Sequence, residues 1–320
     1  MTSSGINCPI CERDNAEFVL WGRDRLLAKE GRFRLVRCRG CGLLYLNPQP
    51  GPEELAGYYP QEYLPYAQEE AGSPLERWLR SYGLAKRCRL VARWKEGGRL
   101  LDIGCATGLF LAQMRMSGNW GIQGVEISEF AARYAREHLG LEVFQGELEE
   151  AEFADACFDV VTMWDVLEHL LHPLAALREV YRILKPDGLL VLRLPNVESL
   201  DARLFGPFWA GLDTPRHLFV FSGRTAEALL GKAGFQVAQT LCLSGSQPAF
   251  ALSLGMLMDE KLSPPRLGQF AKAAVSHPLV RALTAPYFYL LDRLRRGPLL
   301  VIVARKEPPG RVSRFYPRCQ

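Results

Sequence analysis

The stretch that most constrains the fold is residues 99–126. Leu100, Leu101 and Ile103 form a short apolar run of the kind that makes a buried parallel strand. Gly104 and Gly108 follow at once, with only Cys105, Ala106 and Thr107 between them. Glycine there lets the backbone turn tightly and lets a ligand approach the main chain. Residues 109–116 read as a helix with Phe110, Leu111 and Met114 on one face, and its first N–H groups point over the loop. A second strand over 121–125 ends on Glu126, where an acid can accept hydrogen bonds from both hydroxyls of a ribose. Strand, glycine loop, helix, strand and acid predict a nucleoside-binding half-sheet.

The spacing of the glycines narrows the ligand. A dinucleotide loop reads G-x-G-x-x-G, which this one does not. Asp102-Ile-Gly-Cys-Ala-Thr-Gly108 instead resembles the first motif of the class I S-adenosylmethionine-dependent methyltransferases, usually written D-x-G-x-G-x-G, with Ala106 replacing the middle glycine. The resemblance implies a doubly wound, seven-stranded Rossmann-like α/β sheet. It also implies S-adenosylmethionine bound by Asp102, Gly104, Cys105, Ala106, Gly108, Glu126 and Ile127, with Glu147 against the adenine amino group and Asp165 at the edge of the fourth strand.

The rest of the domain repeats the alternation. Ser128 is placed to cap a helix that runs to Leu139, and 141–144 forms a third strand. Phe158-Asp-Val-Val-Thr-Met163 is a fourth, buried strand ending on Trp164-Asp165. Pro173 opens a helix, Lys185-Pro-Asp-Gly188 turns the chain into a fifth strand over 189–194, and a helix over 224–233 stopped by Gly234 precedes a sixth strand over 235–243. Leu299 to Ala304 is the last strand, which the resemblance makes antiparallel and paired with strand six.

Two C-x-x-C pairs, Cys8/Cys11 and Cys38/Cys41, lie 26 residues apart. Four thiolates satisfy the tetrahedral preference of zinc and leave no open position, so the reading is a structural Zn²⁺ module over residues 1–50, with strand-like alternation at 17–20 and 32–37. Residues 51–96 read as a helical connector, with Tyr58, Tyr59 and Tyr63 at its start. Leu75, Trp78, Leu79 and Tyr82 at helical spacing read first as core packing and second as a lid, and 84–94 reads as a separate basic helix. This front end resembles that of zinc-headed bacterial methyltransferases.

Three polar clusters compete for the chemistry. Asp165-Val-Leu-Glu168-His169 has offsets of three and four, which put its polar groups on one side of a helical turn. The ubiquinone-type O-methyltransferases resemble this stretch and carry an acid-x-x-Glu-His metal trio there. Mg²⁺, which prefers oxygen ligands, suits such a trio only loosely, and a helix-start network that shapes the pocket is the plainer reading. The second cluster is the long aromatic connection Trp209-x-x-Leu-Asp213-Thr-Pro-Arg216-His217. His217, with His169 as the alternative, is the expected base for a hydroxyl proton, and Trp209, Asp213 and Arg216 are expected at the acceptor. The third is Asn196, either an acceptor contact or a turn residue.

At 320 residues with 48% hydrophobic and 23% charged residues, the chain is long enough for a large core. Its 39 basic and 35 acidic residues are too balanced to argue for nucleic acid. Nine cysteines without a disulfide-like framework, no secretory signal and no run of spanning length point to the cytoplasm. Residues 245–298 read as a helical insertion. Its apolar and arginine-bearing faces around 279–294 fit either a helical hairpin or a peripheral membrane contact. Residues 97–306 form the catalytic domain and 307–320 a tail. The expected partner is a small-molecule acceptor (sugar, lipid-linked or quinone-like) methylated on oxygen. C-methylation of a nucleotide sugar, a non-catalytic cofactor-binding protein and a nicotinamide oxidoreductase stand as alternatives. Oligomeric state is left open.

Overall fold

The computed structural model describes residues 5–59, 74–243, 246–262 and 267–306. Tyr63 and the tail from residue 307 lie outside the described residues. At the N-terminus, β1 (Ala16–Gly22) and β2 (Phe33–Cys38) pair antiparallel with Ala16 opposite Cys38, and β2 pairs with β3 (Leu44–Leu46). A short helix α1 (Pro52–Ala56) and a long one, α2 (Pro74–Ala92), follow. The expected second basic helix is the C-terminal half of α2; Gly83 does not interrupt it, since one glycine costs a helix only about 1 kcal/mol.

The main sheet contains β4 (Gly97–Ile103), β5 (Asn119–Glu126), β6 (Val143–Gln145), β7 (Phe158–Trp164) and β8 (Leu184–Pro195). Helix α3 (Leu109–Arg115) links β4 to β5, α4 (Glu129–Leu139) links β5 to β6, and α5 (Pro173–Ile183) links β7 to β8. Ser128 caps α4 by accepting from the Ala131 N–H at 3.3 Å, and Gly140 closes it at φ +58°. Lys185–Gly188, expected as a turn, belongs to β8, which begins directly at the end of α5; the ladder to β7 shifts register between Phe158 and Val160. After β8 come α6 (Leu200–Phe205), the two-residue strand β9 (Phe219–Val220), α7 (Gly223–Lys232) and β10 (Phe235–Cys242). The insertion forms α8 (Ser246–Lys261), α9 (Leu267–Ser276) and α10 (Pro278–Arg293), and β11 (Leu299–Lys306) ends the domain.

The strand order is β10-β11-β8-β7-β4-β5-β6. β11 runs antiparallel to both β10 and β8, and the pairs among β4 to β8 are parallel. The chain leaves β4 toward β5 on one side and returns to β7 on the other. The crevice between the carboxyl ends of β4 and β7 is therefore the topological switch point where ligands bind in such sheets.

Strand β9 lies in the other sheet. It pairs antiparallel with β3, Leu44 opposite Val220, so the cysteine-bearing head borrows a strand from the connection after β8. One continuous core runs from Leu35, Leu44 and Leu46 through Phe219 and Phe221 to Leu177, Val180 and Leu229. The opposite face of the main sheet packs Cys88, Leu90 and Val91 of α2 against Phe110, Leu111 and Met114 of α3. Only this end of α2 is in the core. Trp78 (62% exposed) and Tyr82 (47%) stack on each other at 5.7 Å outside it, which corrects the core-packing reading.

Helix α10 turns Phe288 and Leu291 inward and leaves Tyr287, Tyr289, Leu290 and Leu294 exposed, so its apolar residues divide between two faces. Among the described residues no helix is long and apolar enough to cross a membrane.

Candidate active site

The loop at the end of β4 follows its sequence closely. Gly104, Ala106 and Gly108 adopt left-handed backbone at φ +66°, +49° and +80°. A Cβ on Gly104 would fall 2.6 Å from Val166 Cγ2, and one on Gly108 2.4 Å from Leu141 Cδ1, so both positions require glycine. Glu126 is buried at the end of β5. Its Oε2 accepts from the Ala106 N–H at 2.8 Å and its Oε1 from the Ser128 N–H at 2.9 Å. One carboxylate thus fixes the loop and the start of α4, with lone pairs left for further donors. Burial raises its pKa against these bonds.

Asp102 and Cys105 lie under this loop. Asp102 is buried and accepts from Thr162 Oγ1 at 2.6 Å; burial pushes its carboxyl up to about 7, with Glu126 adding to the effect. The Cys105 thiol points inward, where a Cβ on Gly124 would meet it at 2.6 Å. The side chains of both therefore shape the loop from beneath. Ile127 is 65% exposed at the rim, and Glu147 is exposed, its N–H donating to Glu150 Oε2 at 2.7 Å. Arg87 of α2, unmarked in sequence among the basic residues of 84–94, stands 4.9 Å over the Trp164 ring. Burial and Arg193 pull its pKa down to about 9.

At the end of β7 the expected acid–Glu–His trio does not assemble. Asp165 sits at φ +60°, and both its oxygens accept from Arg193 Nε, at 2.8 and 3.0 Å, with a further contact to Nη2. Burial opposes ionisation, but the charge and hydrogen bonds of Arg193 hold the Asp165 carboxyl below its usual range. That carboxylate is engaged by Arg193 of β8, which takes it away from the acid–Glu–His trio. The sequence signal for Arg193 was present: an arginine inside the apolar strand Leu-Val-Leu-Arg-Leu needs a buried partner.

Glu168 takes the inward place. It is 0% exposed, and neither carboxylate oxygen has a hydrogen-bond partner among the described residues. Burial and then the charge of Asp165 push its pKa well up. Beside it, His169 Nδ1 lies 3.0 Å from the Arg216 carbonyl and 2.8 Å from Tyr59 Oη. His217 Nδ1 lies 2.9 Å from the Gly211 carbonyl. A carbonyl only accepts, so these contacts are hydrogen bonds in the tautomer that carries the proton on Nδ1, and Nε2 is then the nitrogen turned to other partners. The rings meet edge to face, 4.6 Å between centroids. Burial and the neighbouring His217 push His169 down to about 3, which keeps it neutral. The structure thus brings His169 and His217 together and adds Glu168 and Tyr59.

Three expected acceptor residues face elsewhere. Arg216 is 0% exposed, and its guanidinium is divided between Asp24 (2.8 and 3.2 Å) and Asp213 (2.6 and 2.9 Å). It braces the loop and is closed to an anionic acceptor. Asn196 is buried, donates to the Gly297 carbonyl at 3.1 Å and accepts from the Glu198 N–H at 3.0 Å, which makes it the turn residue. Trp209 is 2% exposed and belongs to the core. Asp213 lies beneath the site, its Oδ2 4.0 Å from His217 Nε2.

The four head cysteines converge, with every sulfur within 4.8 Å of the others and Cys8 Sγ 3.6 Å from Cys41 Sγ. Zn–S bonds of about 2.3 Å in a tetrahedron place sulfurs about 3.8 Å apart, so the set fits zinc.

Residues 75–240, more than half of the chain, match the family described as "Methyltransferase domain". The chain is 32% identical over 109 residues to a ubiquinone biosynthesis O-methyltransferase of Neisseria meningitidis, covering 31% of this chain and 45% of that protein. It is 34% identical over 121 residues to a malonyl-[acyl-carrier protein] O-methyltransferase of Erwinia pyrifoliae, covering 35% and 46%. The chain therefore spans less than half the length of these relatives. The fold resembles the crystal structure of a putative sarcosine dimethylglycine methyltransferase from Galdieria sulphuraria, with TM-score 0.50, 16% identity and coverage of 76% of this chain and 91% of that one. With that match over more than half of its length, and with the glycine loop and Glu126 at the ends of β4 and β5, the chain belongs to the methyltransferase-domain family.

Proposed function

We propose that this chain transfers a methyl group from S-adenosylmethionine to an oxygen of a small-molecule acceptor. The observation that carries the reading is the histidine pair, His169 just after β7 and His217 just before β9, each with Nδ1 against a backbone carbonyl so that Nε2 is the nitrogen left to take a proton. Bound S-adenosylmethionine supplies an electrophilic methyl on a sulfonium sulfur. The backbone of Gly104, Ala106 and Gly108 would receive it, Glu126 would accept its ribose hydroxyls, and Ile127 and Glu147 would border its adenine. Arg87, over the Trp164 ring at the end of β7, would pair with its carboxylate. The acceptor oxygen forms the new bond to carbon, the carbon–sulfur electron pair stays on sulfur, and the hydroxyl proton passes to His217 Nε2, or to His169 Nε2. Catalysis of this kind is mostly positioning, with the base adding about 10²–10⁴-fold.

The names of the two relatives, both O-methyltransferases on dissimilar acceptors, support oxygen as the nucleophile and leave the acceptor a matter for experiment. Cys8, Cys11, Cys38 and Cys41 would hold a structural zinc ion. The test is transfer of a labelled methyl from S-adenosylmethionine into a cell extract, partitioned into organic, small aqueous and macromolecular fractions. Label in either small-molecule fraction, lost in His217→Ala while S-adenosylhomocysteine still binds, supports the proposal. No label with intact cofactor binding overturns it in favour of a non-catalytic binding protein, and tighter binding of NADH than of S-adenosylhomocysteine overturns it in favour of a redox enzyme.

A further inference from the structure

Glu168, His169 and His217 each present a ligand atom within 4.8 Å of the other two. Three features of the surroundings go beyond proximity. First, Glu168 is fully buried with both oxygens unpartnered among the described residues, a state that costs several kcal/mol unless something in the site satisfies it. Second, each imidazole has its Nδ1–H anchored on a backbone carbonyl, the Arg216 and Gly211 oxygens. That is the outer-shell arrangement that fixes a ligating histidine's tautomer and turns Nε2 toward a metal. Third, the neighbouring guanidiniums are engaged elsewhere: Arg216 is shared by Asp24 and Asp213, and Arg193 is held by Asp165.

We propose that Glu168, His169 and His217 bind a divalent transition-metal ion, at a site separate from the cysteine cluster. Two imidazoles and one carboxylate suit Zn²⁺ or its neighbours in the first row, whereas Mg²⁺ asks for oxygen ligands. The ligand set differs from the contiguous acid–Glu–His pattern, because Arg193 has taken Asp165 and the third ligand comes from 48 residues downstream, on the loop braced by Arg216. Three protein ligands leave a coordination position for an oxygen ligand. With the ion bound both Nε2 lone pairs are taken, so the proton of an oxygen in that position would leave to solvent rather than to an imidazole; that this oxygen belongs to the methyl acceptor rests on the proposed function, and the presence of the ion does not.

The experiment is a metal titration of the full chain with Zn²⁺ and with Co²⁺, after the cysteine head has been filled. The expected result is a further equivalent of bound metal, whose Co²⁺ spectrum lacks the intense sulfur-to-cobalt bands of the head. Glu168→Gln and His217→Ala should each weaken that equivalent by more than the roughly 10–100-fold that loss of an outer partner costs, with S-adenosylhomocysteine binding as the check on folding. A wild-type chain that takes up no metal beyond the head overturns the proposal without need of any variant, as does a further equivalent that both variants retain. Methyl transfer that proceeds in chelator with the head still loaded and requires His217 would leave the proposed function standing and remove the metal from it.

Discussion

Asp24 and Arg216 are 192 positions apart in sequence and meet as a fully buried ion pair, Asp24 Oδ1 2.8 Å from Arg216 Nη2. Asp213 closes the other side of the guanidinium at 2.6 and 2.9 Å, and the Tyr58 carbonyl accepts from Nη1 at 3.4 Å. One side chain thereby joins the N-terminal head, the connector and the loop that carries His217.

This triad predicts a large effect from a single substitution. Arg216→Met removes the cation and leaves two buried carboxylates facing each other. Breaking a buried pair from one side costs about 3–5 kcal/mol, so urea unfolding should show a loss of that order. Asp24→Asn should cost less, because Arg216 keeps Asp213. Equal stability of Arg216→Met and wild type would mean that the triad is not closed to water.

The contrast between what was and was not legible follows from contact range. The glycine loop, the Ser128 cap and the alternation of strand and helix are local patterns, and each is written within a few residues. The Asp24–Arg216 pair leaves no periodic trace, and β9 is two residues long, so Leu218–Phe221 read as loop although its apolar run forms a strand edge with β3. Asp165 misled for a related reason: its spacing to Glu168 and His169 is helical, but the chain turns through a left-handed residue there and sends that carboxylate to β8.

The pH dependence of stability should carry the signature of Asp102. Its folded pKa, about 7, lies above the ordinary carboxyl value near 3.9, so the folded state holds a proton that the unfolded state has lost across that interval. The stability this contributes is fully present below about pH 4 and is lost as pH rises through about 7. Asp102→Asn keeps the acceptor for Thr162 Oγ1 and removes the titration. The ligand-free variant should therefore gain on wild type between pH 5 and 8, by on the order of a few kcal/mol at most. Parallel melting temperatures across that range would rule out Asp102 as the titrating group.

Ala106 offers a test of the loop. An alanine at φ +49° bears a left-handed strain of about 1–2 kcal/mol, partly offset because glycine costs about 0.5–1 kcal/mol more to order. Ala106→Gly should leave the melting temperature unchanged or slightly raised and keep the Ala106 N–H bond to Glu126. Gly108→Ala places a methyl 2.4 Å from Leu141 Cδ1 in the same backbone region, and should lower both stability and S-adenosylhomocysteine affinity. Calorimetry on the two variants separates backbone conformation from side-chain space.

The head should influence the site through β9. Metal held by Cys8, Cys11, Cys38 and Cys41 would tie the turn before β1 to the turn between β2 and β3, and β3 holds β9 by pairing Leu44 with Val220 and Tyr45 with Phe219. Leu218, just before β9, donates its N–H to the Glu168 carbonyl at 2.8 Å, and His217 precedes it. A disturbance of the head thus reaches both histidine-bearing segments through consecutive backbone hydrogen bonds. The glycine loop, on β4, touches Val166 of the His169 segment at Gly104 but is not itself one of the hydrogen-bonded strands of the path. Cys38→Ser, which removes one of the four thiolates, should therefore reduce methyl transfer by a larger factor than it weakens S-adenosylhomocysteine binding, with hydrogen exchange rising first at residues 217–221. Equal losses of both would mean that the head stabilises the whole domain rather than the acceptor side, and unchanged exchange at 217–221 would mean that β9 is held by the core of Phe219 and Phe221 alone.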